Sequence, residues 1–316
     1  MKIKVQPLAL SVAIILLIVC AQYNYLLFHS ISEVFSITVG CGIFMFAWNT
    51  KDYTSNDYFQ FLGIAYLFIV LLDFVHTLSY GGMEVFPDQN GNLTAQLWIA
   101  ARYLESISLL ISPWYLTRKL NYKLAFIAFS VISVITISAI FAGFFPDCFI
   151  EGSGLTLFKK MSEYAISTFL AAACLNISKN KQKLDRYTYR LIVTSILLTI
   201  GSELSFTFYI SLYGTSNLVG HIFKIASFYL IYEAIIANGL RHPYQILAQR
   251  EEELQLALNE VKTLRGIIPI CMHCKKIRDT RGEWEKIEKY VSEHSHAEFS
   301  HSICEECLQK FHFKQA

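Results

Sequence analysis

Charge is what this chain has least of. Asp, Glu, Lys and Arg make up 16% of its 316 residues, against 54% for the hydrophobic types. A soluble domain of that length carries about 25% charge, so the deficit points to a membrane protein. The formal net charge is only +2, and no basic patch stands apart from the apolar stretches, which excludes a nucleic-acid partner. A cleavable leader is not expected either. The apolar run from Leu8 to Cys20 has no small-x-small site close behind it, and Val19 is too large for the residue before a lipoprotein cysteine. The run therefore reads as an uncleaved first span. Neither an inverted repeat nor a matched pair of Gly/Pro-broken apolar segments is present, and these are the marks of a secondary transporter.

What is there is a succession of apolar stretches. A hydrocarbon core of about 30 Å takes roughly 20 residues of helix, and eight stretches qualify: 7–28, 32–49, 60–80, 96–116, 122–145, 160–178, 190–212 and 218–238. Lys and Arg alternate between their connections. Lys51 falls on one side, with Arg118, Lys119 and Lys123, and with the run from Lys179 to Lys183 and Arg186 and Arg190. The connections 29–31, 81–95 and 213–217 have none, and 146–159 has only Lys159. The positive-inside rule then puts Met1 and Ala316 in the cytoplasm. The expected fold is an all-α polytopic membrane protein of about eight transmembrane helices, residues 1–240. A cytoplasmic linker helix (241–265) and a small zinc-stapled module (266–316) follow it.

Ionisable groups in lipid are expensive and generally face the bundle interior. Ten of them fall at one depth, in the outer half, drawn from seven of the eight spans: His29 and Glu33 around the first outer turn, Asp73, His76, Arg102, Glu105, Glu163, Glu203, His221 and Lys224. Asp73 and His76 are three apart, as are Arg102 and Glu105, and His221 and Lys224, so each pair shares a helix face. Two readings fit. The pairs satisfy one another and hold helices together, or they line an outward-facing pocket for a small molecule, ion or proton. A carboxylate beside a histidine raises its basicity and fixes its tautomer, as a ligand or metal site requires. His29, His76 and His221 are candidates for haem or second-metal ligands gathered from three spans, although His29 and His221 lie near the headgroup level, where histidine is cheap. Trp48, Trp98 and Trp114 read as interfacial anchors.

Gly239-Leu240-Arg241-His242-Pro243 reads as a helix stop at the membrane surface. Beyond it, Leu247, Leu254 and Val261 recur every seven residues, with Ala257 and Leu264 three after the last two. A short parallel coiled coil in a homodimer and a solvated single helix both fit that pattern.

The tail carries Cys271-Met272-His273-Cys274 and Cys304-Glu305-Glu306-Cys307, two C-x-x-C pairs separated by 29 residues that are not cysteine. Each pair sets two thiolates on one edge of a tetrahedron, and together they complete a closed structural zinc site. A tail of about 50 residues is too short for a self-sufficient core, and metal supplies what the core lacks. Disulfides are the weaker alternative in a reducing cytoplasm. A helix is expected inside the loop at Glu283–Val291, with Trp284, Ile287 and Val291 on one face.

Several of these residues together resemble a known family. His29 with Ser32-Glu33 and Phe35, Ala47-Trp48, Asp73-Phe74-Val75-His76-Thr77-Leu78 with Tyr80 and Gly82-Met83, and Arg102 with Glu105 resemble the third family of bacterial membrane-associated sensor (MASE) domains, over about residues 7–240. The resemblance implies a sensory input module of the kind that precedes histidine kinases and diguanylate cyclases, in the bacterial inner membrane. From Leu264 to Cys307 the tail resembles a cysteine-rich module at the C-termini of bacterial signalling proteins. It does so through Ile268-Pro269-Ile270-Cys271, Cys274-Lys275-Lys276-Ile277-Arg278-Asp279, Gly282, Trp284, Tyr290, Phe299-Ser300-His301 and Ile303-Cys304. The chain has no phospho-accepting histidine helix, ATP-binding glycine motif or GG(D/E)EF-like run, so it is not expected to be a kinase or cyclase. Output is expected to pass through the tail to a cytoplasmic signalling protein. An intramembrane zinc hydrolase using Asp73 and the three histidines is the enzymatic alternative, but its H-x-x-x-H pair fails here, since Ile225 stands four after His221.

Overall fold

The computed structural model describes residues 5–53, 57–86, 91–207, 214–260 and 267–312. It divides into two compact units, Met1–Pro243 and Tyr244–Ala316.

Among its described residues the first unit has eight long helices: α1 (Val5–Tyr23), α2 (Tyr25–Thr50), α3 (Tyr58–Leu78), α4 (Asn92–Ile111), α5 (Tyr122–Phe141), α6 (Leu157–Lys179), α7 (Arg186–Thr207) and α8 (Thr215–Ile236). Side-chain caps set several starts. Asn24 accepts the amide of Leu27 at 3.0 Å, Asn121 that of Leu124 at 3.1 Å, and Thr156 that of Lys159 at 3.2 Å, each satisfying an N–H that the helix itself leaves open. Asp185 does the same for α7 through the amides of Tyr187 and Thr188. Beyond α4 the chain tightens into a 3₁₀ turn at Ser112–Leu116, where Pro113 lacks the donor an α-turn would use.

Six helices close a ring: α2 packs on α3, α3 on α4, α4 on α6, α6 on α7, α7 on α8, and α8 back on α2. Outside it, α1 lies against α2 and α8, and α5 against α3 and α4. Small residues allow the close approaches. A Cβ on Gly40 would stand 2.2 Å from Val70, and one on Gly63 2.5 Å from Ala47, so the α2–α3 seam excludes any side chain there. Ser195, Thr199 and Ser227 bond across α7 and α8, with Oγ separations of 2.6–2.8 Å. At the opposite end from the α6 cap, buried Asp57 accepts the Leu120 amide and the Tyr122 hydroxyl, fixing the entry to α5.

Among the described residues five helices, α2, α3, α5, α7 and α8, are long and apolar enough to cross a membrane. Leu124, Ile127 and Val134 on α5 are each more than 60% exposed, as a lipid-facing helix requires. α4 and α6 are as long, at 20 and 23 residues, but polar side chains turned into the ring dilute their hydropathy.

Three expectations change. The first turn between apolar helices lies at Asn24, because its cap starts α2 there; His29 and Glu33 are therefore inside α2 and fully buried. The glycine-proline stretch does not stop the helix. A π turn at Ala237–Arg241 leads into α9 (His242–Glu260). Nor is the fold purely helical. A hairpin, β1 (Phe149–Ile150) with β2 (Gly154–Leu155), follows α5. In the second unit β3 (Ile277–Arg278) pairs with β4 (Trp284–Glu285).

That second hairpin displaces the start of the helix expected at Glu283–Val291. Asp279 Oδ1 accepts the amides of Arg281 and Glu283, and Gly282 takes a φ of +88°, which together close a tight turn. Trp284 is thereby in a strand, and Ile287 and Val291 lie on α10 (Ile287–His294). A last helix, α11 (Glu305–His312), follows Cys304. On α9, Leu247 and Leu254 are exposed; Val261 and Leu264 lie outside the described residues.

Candidate functional site

The ring encloses all ten ionisable residues singled out from the sequence, and each is at most 4% exposed. They come from six helices rather than seven spans: α2 (His29, Glu33), α3 (Asp73, His76), α4 (Arg102, Glu105), α6 (Glu163), α7 (Glu203) and α8 (His221, Lys224).

Two cations organise the charges. Arg102 Nη2 stands 2.8 Å from both oxygens of Asp73, while its Nη1 pairs with Glu105. Lys224 Nζ stands 2.6 Å from Glu33 Oε2 and 3.2 Å from Asp73 Oδ2. Asp73 thus bridges the two cations. Tyr66 donates its hydroxyl to Glu105 Oε1 at 3.1 Å. His221 Nδ1 lies 3.2 Å from Glu33 Oε1, without hydrogen-bond alignment. On the far side of the ring Lys159 pairs with Glu163, which faces Glu203.

The sequence pattern places Lys159 near a span end, among the topology charges. It is instead 5% exposed, and its spacing of four from Glu163 on α6 is the signal for the pair. Trp98 is a further correction. Far from anchoring at an interface, it is 5% exposed, with Arg102 4.9 Å and Lys224 4.8 Å from its ring centroid. Burying two cations on one indole strengthens their attraction to its face. Trp48 keeps an end position, with Lys51 over its ring at 4.3 Å, and Trp114 is exposed.

Beside this network opens a pocket of about 560 Å³, the solvent at its mouth included. Trp98, Phe149, Leu155 and Phe206 give it apolar walls; His29, His76, His221, Lys159 and Asn217 give it polar ones. Asn92 fixes the rim, its Oδ1 accepting the amides of Cys148 and Phe149 at 2.8 and 3.1 Å, so that the β1–β2 hairpin is tied to the start of α4. The three histidines cluster. Ring centroids are 5.5 Å apart for His29 and His76, and 4.9 Å for His29 and His221, and His29 stacks on Tyr80 at 3.7 Å. His76 Nδ1 lies 2.9 Å from the Thr94 carbonyl. That contact makes Nδ1 the donor and leaves the Nε2 lone pair bare. Donor atoms of His29, Glu33 and His76 all lie within 4.8 Å of one another.

In the second unit the two cysteine pairs have different settings. Cys271 and Cys274 flank a tight turn: the Lys275 amide bonds the Cys271 carbonyl at 2.9 Å, the Cys271 amide bonds the Lys276 carbonyl at 2.8 Å, and Lys275 takes a φ of +60°. Backbone N–H groups of Cys274 and His273 hold the Cys271 thiol below its ordinary range. Cys304 precedes α11, and the backbone N–H of Cys307, then the Cys307 side chain, lower its thiol likewise. Among the described residues the four thiols do not form one group of the tightness seen for His29, Glu33 and His76.

A family model described as MASE3, a membrane-associated sensor domain, matches residues 20–243. No curated protein and no solved structure matches the chain.

Proposed function

The chain belongs to the MASE3 family of membrane-associated sensor domains, and from that premise we propose that it is a bacterial inner-membrane signal transducer rather than an enzyme. In this reading it detects a cue in the outward-facing pocket and relays it through α9 to a cytoplasmic zinc module. One observation carries the reading: a closed ring of six helices buries its charges beside a pocket lined partly by the connections poor in arginine and lysine. Eight spans with both termini in the cytoplasm follow if α1, α4 and α6 cross as well; their 19, 20 and 23 residues suffice for the hydrocarbon core. Lipid contacts the apolar outer faces.

The mechanism is a change of pairing. A cue that binds one packing of the ring better than another shifts the balance between them. Moving a two-state equilibrium from 1:99 to 99:1 takes about 5.5 kcal/mol, and breaking a single buried ion pair costs about 3–5 kcal/mol. One rearranged contact of Asp73 or Glu33 with Lys224 is therefore of the required size.

Zinc in the tail is part of the same proposal. Four thiols are the ligand type that structural zinc takes, and two are already lowered toward thiolate, chiefly by backbone N–H groups, one pair on a tight turn and one at a helix start. Cys271, Cys274, Cys304 and Cys307 would hold it, and it would supply the cohesion that this small unit's exposed side chains do not. The partner is a cytoplasmic signalling protein, with α9 pairing in a homodimer through Leu247 and Leu254.

A photo-crosslinking benzophenone side chain at position 254 of the full chain, in native membranes, tests the relay. Crosslinked dimer is expected, with a yield that changes on Lys224→Met. Equal yields with and without that substitution would overturn the coupling, and no dimer in either would overturn the paired linker.

A further inference from the structure

We propose that His29, Glu33 and His76 form a buried site for a divalent transition-metal ion at the floor of the outer pocket, so that the ion is the sensor's cue or its resident cofactor. The inference rests on the sensor reading above and names its ligand class.

Four observations converge. First, the donors are assembled: three ligand atoms from α2 and α3 lie within 4.8 Å of one another, and His29 and Glu33, four apart, share one helix face. Second, the donors are waiting. His29 is fully buried with neither ring nitrogen partnered, and His76 Nε2 and Glu33 Oε1 are buried without a hydrogen bond. Native interiors leave few such atoms, and each calls for an explanation. Third, the surrounding contacts are those of a ligand shell. His76 gives its Nδ1 proton to the Thr94 carbonyl and turns Nε2 inward, while Lys224 holds Glu33 by its other oxygen. Metal-bound histidines and carboxylates are oriented in this way. Fourth, the charge has the right sign. In the connected network around Arg102 and Lys224, three carboxyl groups (Glu33, Asp73, Glu105) face two cations, a formal excess of one acidic group that a cation would balance.

Two nitrogens and one carboxylate suit zinc or ferrous iron, whereas calcium and magnesium take oxygen. His29, His76 and His221 all line the pocket, which gives the ion an entry path and room for a water or for His221 as a further ligand.

The test uses the full chain in nanodiscs, with Zn2+ and Co2+ as the probes. Two zinc ions per chain are expected, one in each unit, and one in a Cys271→Ser/Cys304→Ser variant. Cobalt in that variant should show weak d–d bands and no thiolate charge-transfer band. Adding His76→Ala should remove the ion. Adding the near-isosteric Glu33→Gln, which should keep the fold, should weaken Zn2+ binding by at least about 10-fold, the range seen when a ligand or its support is lost. A cysteine variant that binds no zinc, or whose zinc survives His29→Ala, His76→Ala and Glu33→Gln, overturns the site. The relay is judged separately: a metal-free bundle whose Lys224→Met change still alters the linker crosslink overturns the metal alone, and a metal-bound bundle without that change overturns the sensor.

Discussion

Arg102→Met should cost this protein a large part of its stability, and the geometry says how much. Arg102 is 1% exposed and serves two carboxylates, Asp73 at 2.8 Å and Glu105. Two unit charges 4 Å apart interact by about 4 kcal/mol at an effective dielectric constant of 20, and removing one partner of a buried pair costs about 3–5 kcal/mol. Without the arginine, Asp73 keeps Lys224 while Glu105 keeps only the Tyr66 hydroxyl. Asp73→Asn is milder, about 1–3 kcal/mol, because each cation keeps a carboxylate: Lys224 with Glu33, Arg102 with Glu105. In the double variant the neutral amide at position 73 no longer needs a cation, so the two costs should fall short of their sum by about 1–3 kcal/mol. Reversible SDS titration in mixed micelles, followed by circular dichroism, measures all three. An Arg102→Met protein within about 0.5 kcal/mol of the parent would refute the reasoning, as would additivity within about 0.5 kcal/mol.

Other expectations follow from single contacts. Gly40→Leu forces α2 and α3 apart at Val70 and should lower stability by about 1–3 kcal/mol in the same titration. Cys271→Ser or Cys304→Ser should remove one zinc per chain, read by elemental analysis of purified protein; unchanged zinc would dismiss the tail site. Iodoacetamide on the chelator-treated protein should modify Cys271 and Cys304 well before Cys148, whose thiol burial pushes up to about 12; peptide mass spectrometry gives the order. The backbone N–H of Glu283, and then Arg281, hold the Asp279 carboxyl below the usual carboxylate range. Its support of the β3–β4 turn is therefore full above about pH 4, the unfolded value, and is lost as pH falls through the lower folded one. The protection factors of the Arg281 and Glu283 amides, corrected for intrinsic exchange, should fall over that acidic window and stay constant above it.

The gathering of the charged residues inside one helix bundle was legible because each sits in an apolar window, where an ionisable group turns inward. Of the three pairs spaced by three, only Arg102 and Glu105 bond to each other; Asp73, His76, His221 and Lys224 take partners on other helices. Pairing between helices was not legible, since contacts such as Lys224 with Glu33 join residues 191 apart. Trp98 illustrates the limit. An indole near a span end is ordinarily an anchor, and only the closed ring of helices, which brings Lys224 of α8 within 4.8 Å of the indole ring beside Arg102 of its own helix, gives Trp98 an interior place. Lys159 is masked similarly, its charge counted toward topology although Thr156 as a cap and Glu163 one turn later both mark it as part of α6. The first turn falls earlier than hydropathy suggests because apolar residues continue past Asn24, and only the capping bond to Leu27 separates the two helices. In the tail the amphipathic run around Ile287 outweighs the Asp279-Thr280-Arg281-Gly282 turn, whose turn chemistry is that of a hairpin.

Hydrogen exchange on the full chain in nanodiscs, comparing the parent with Lys224→Met, tests the central claim most directly. The substitution lies in the ring, and α9 carries no part of that network. If the buried cluster governs the cytoplasmic output, amide protection in Tyr244–Glu260 should change together with protection in α2, α3 and α8. A change confined to those ring helices, with the linker amides unaltered, would contradict a sensor that works through its buried charges.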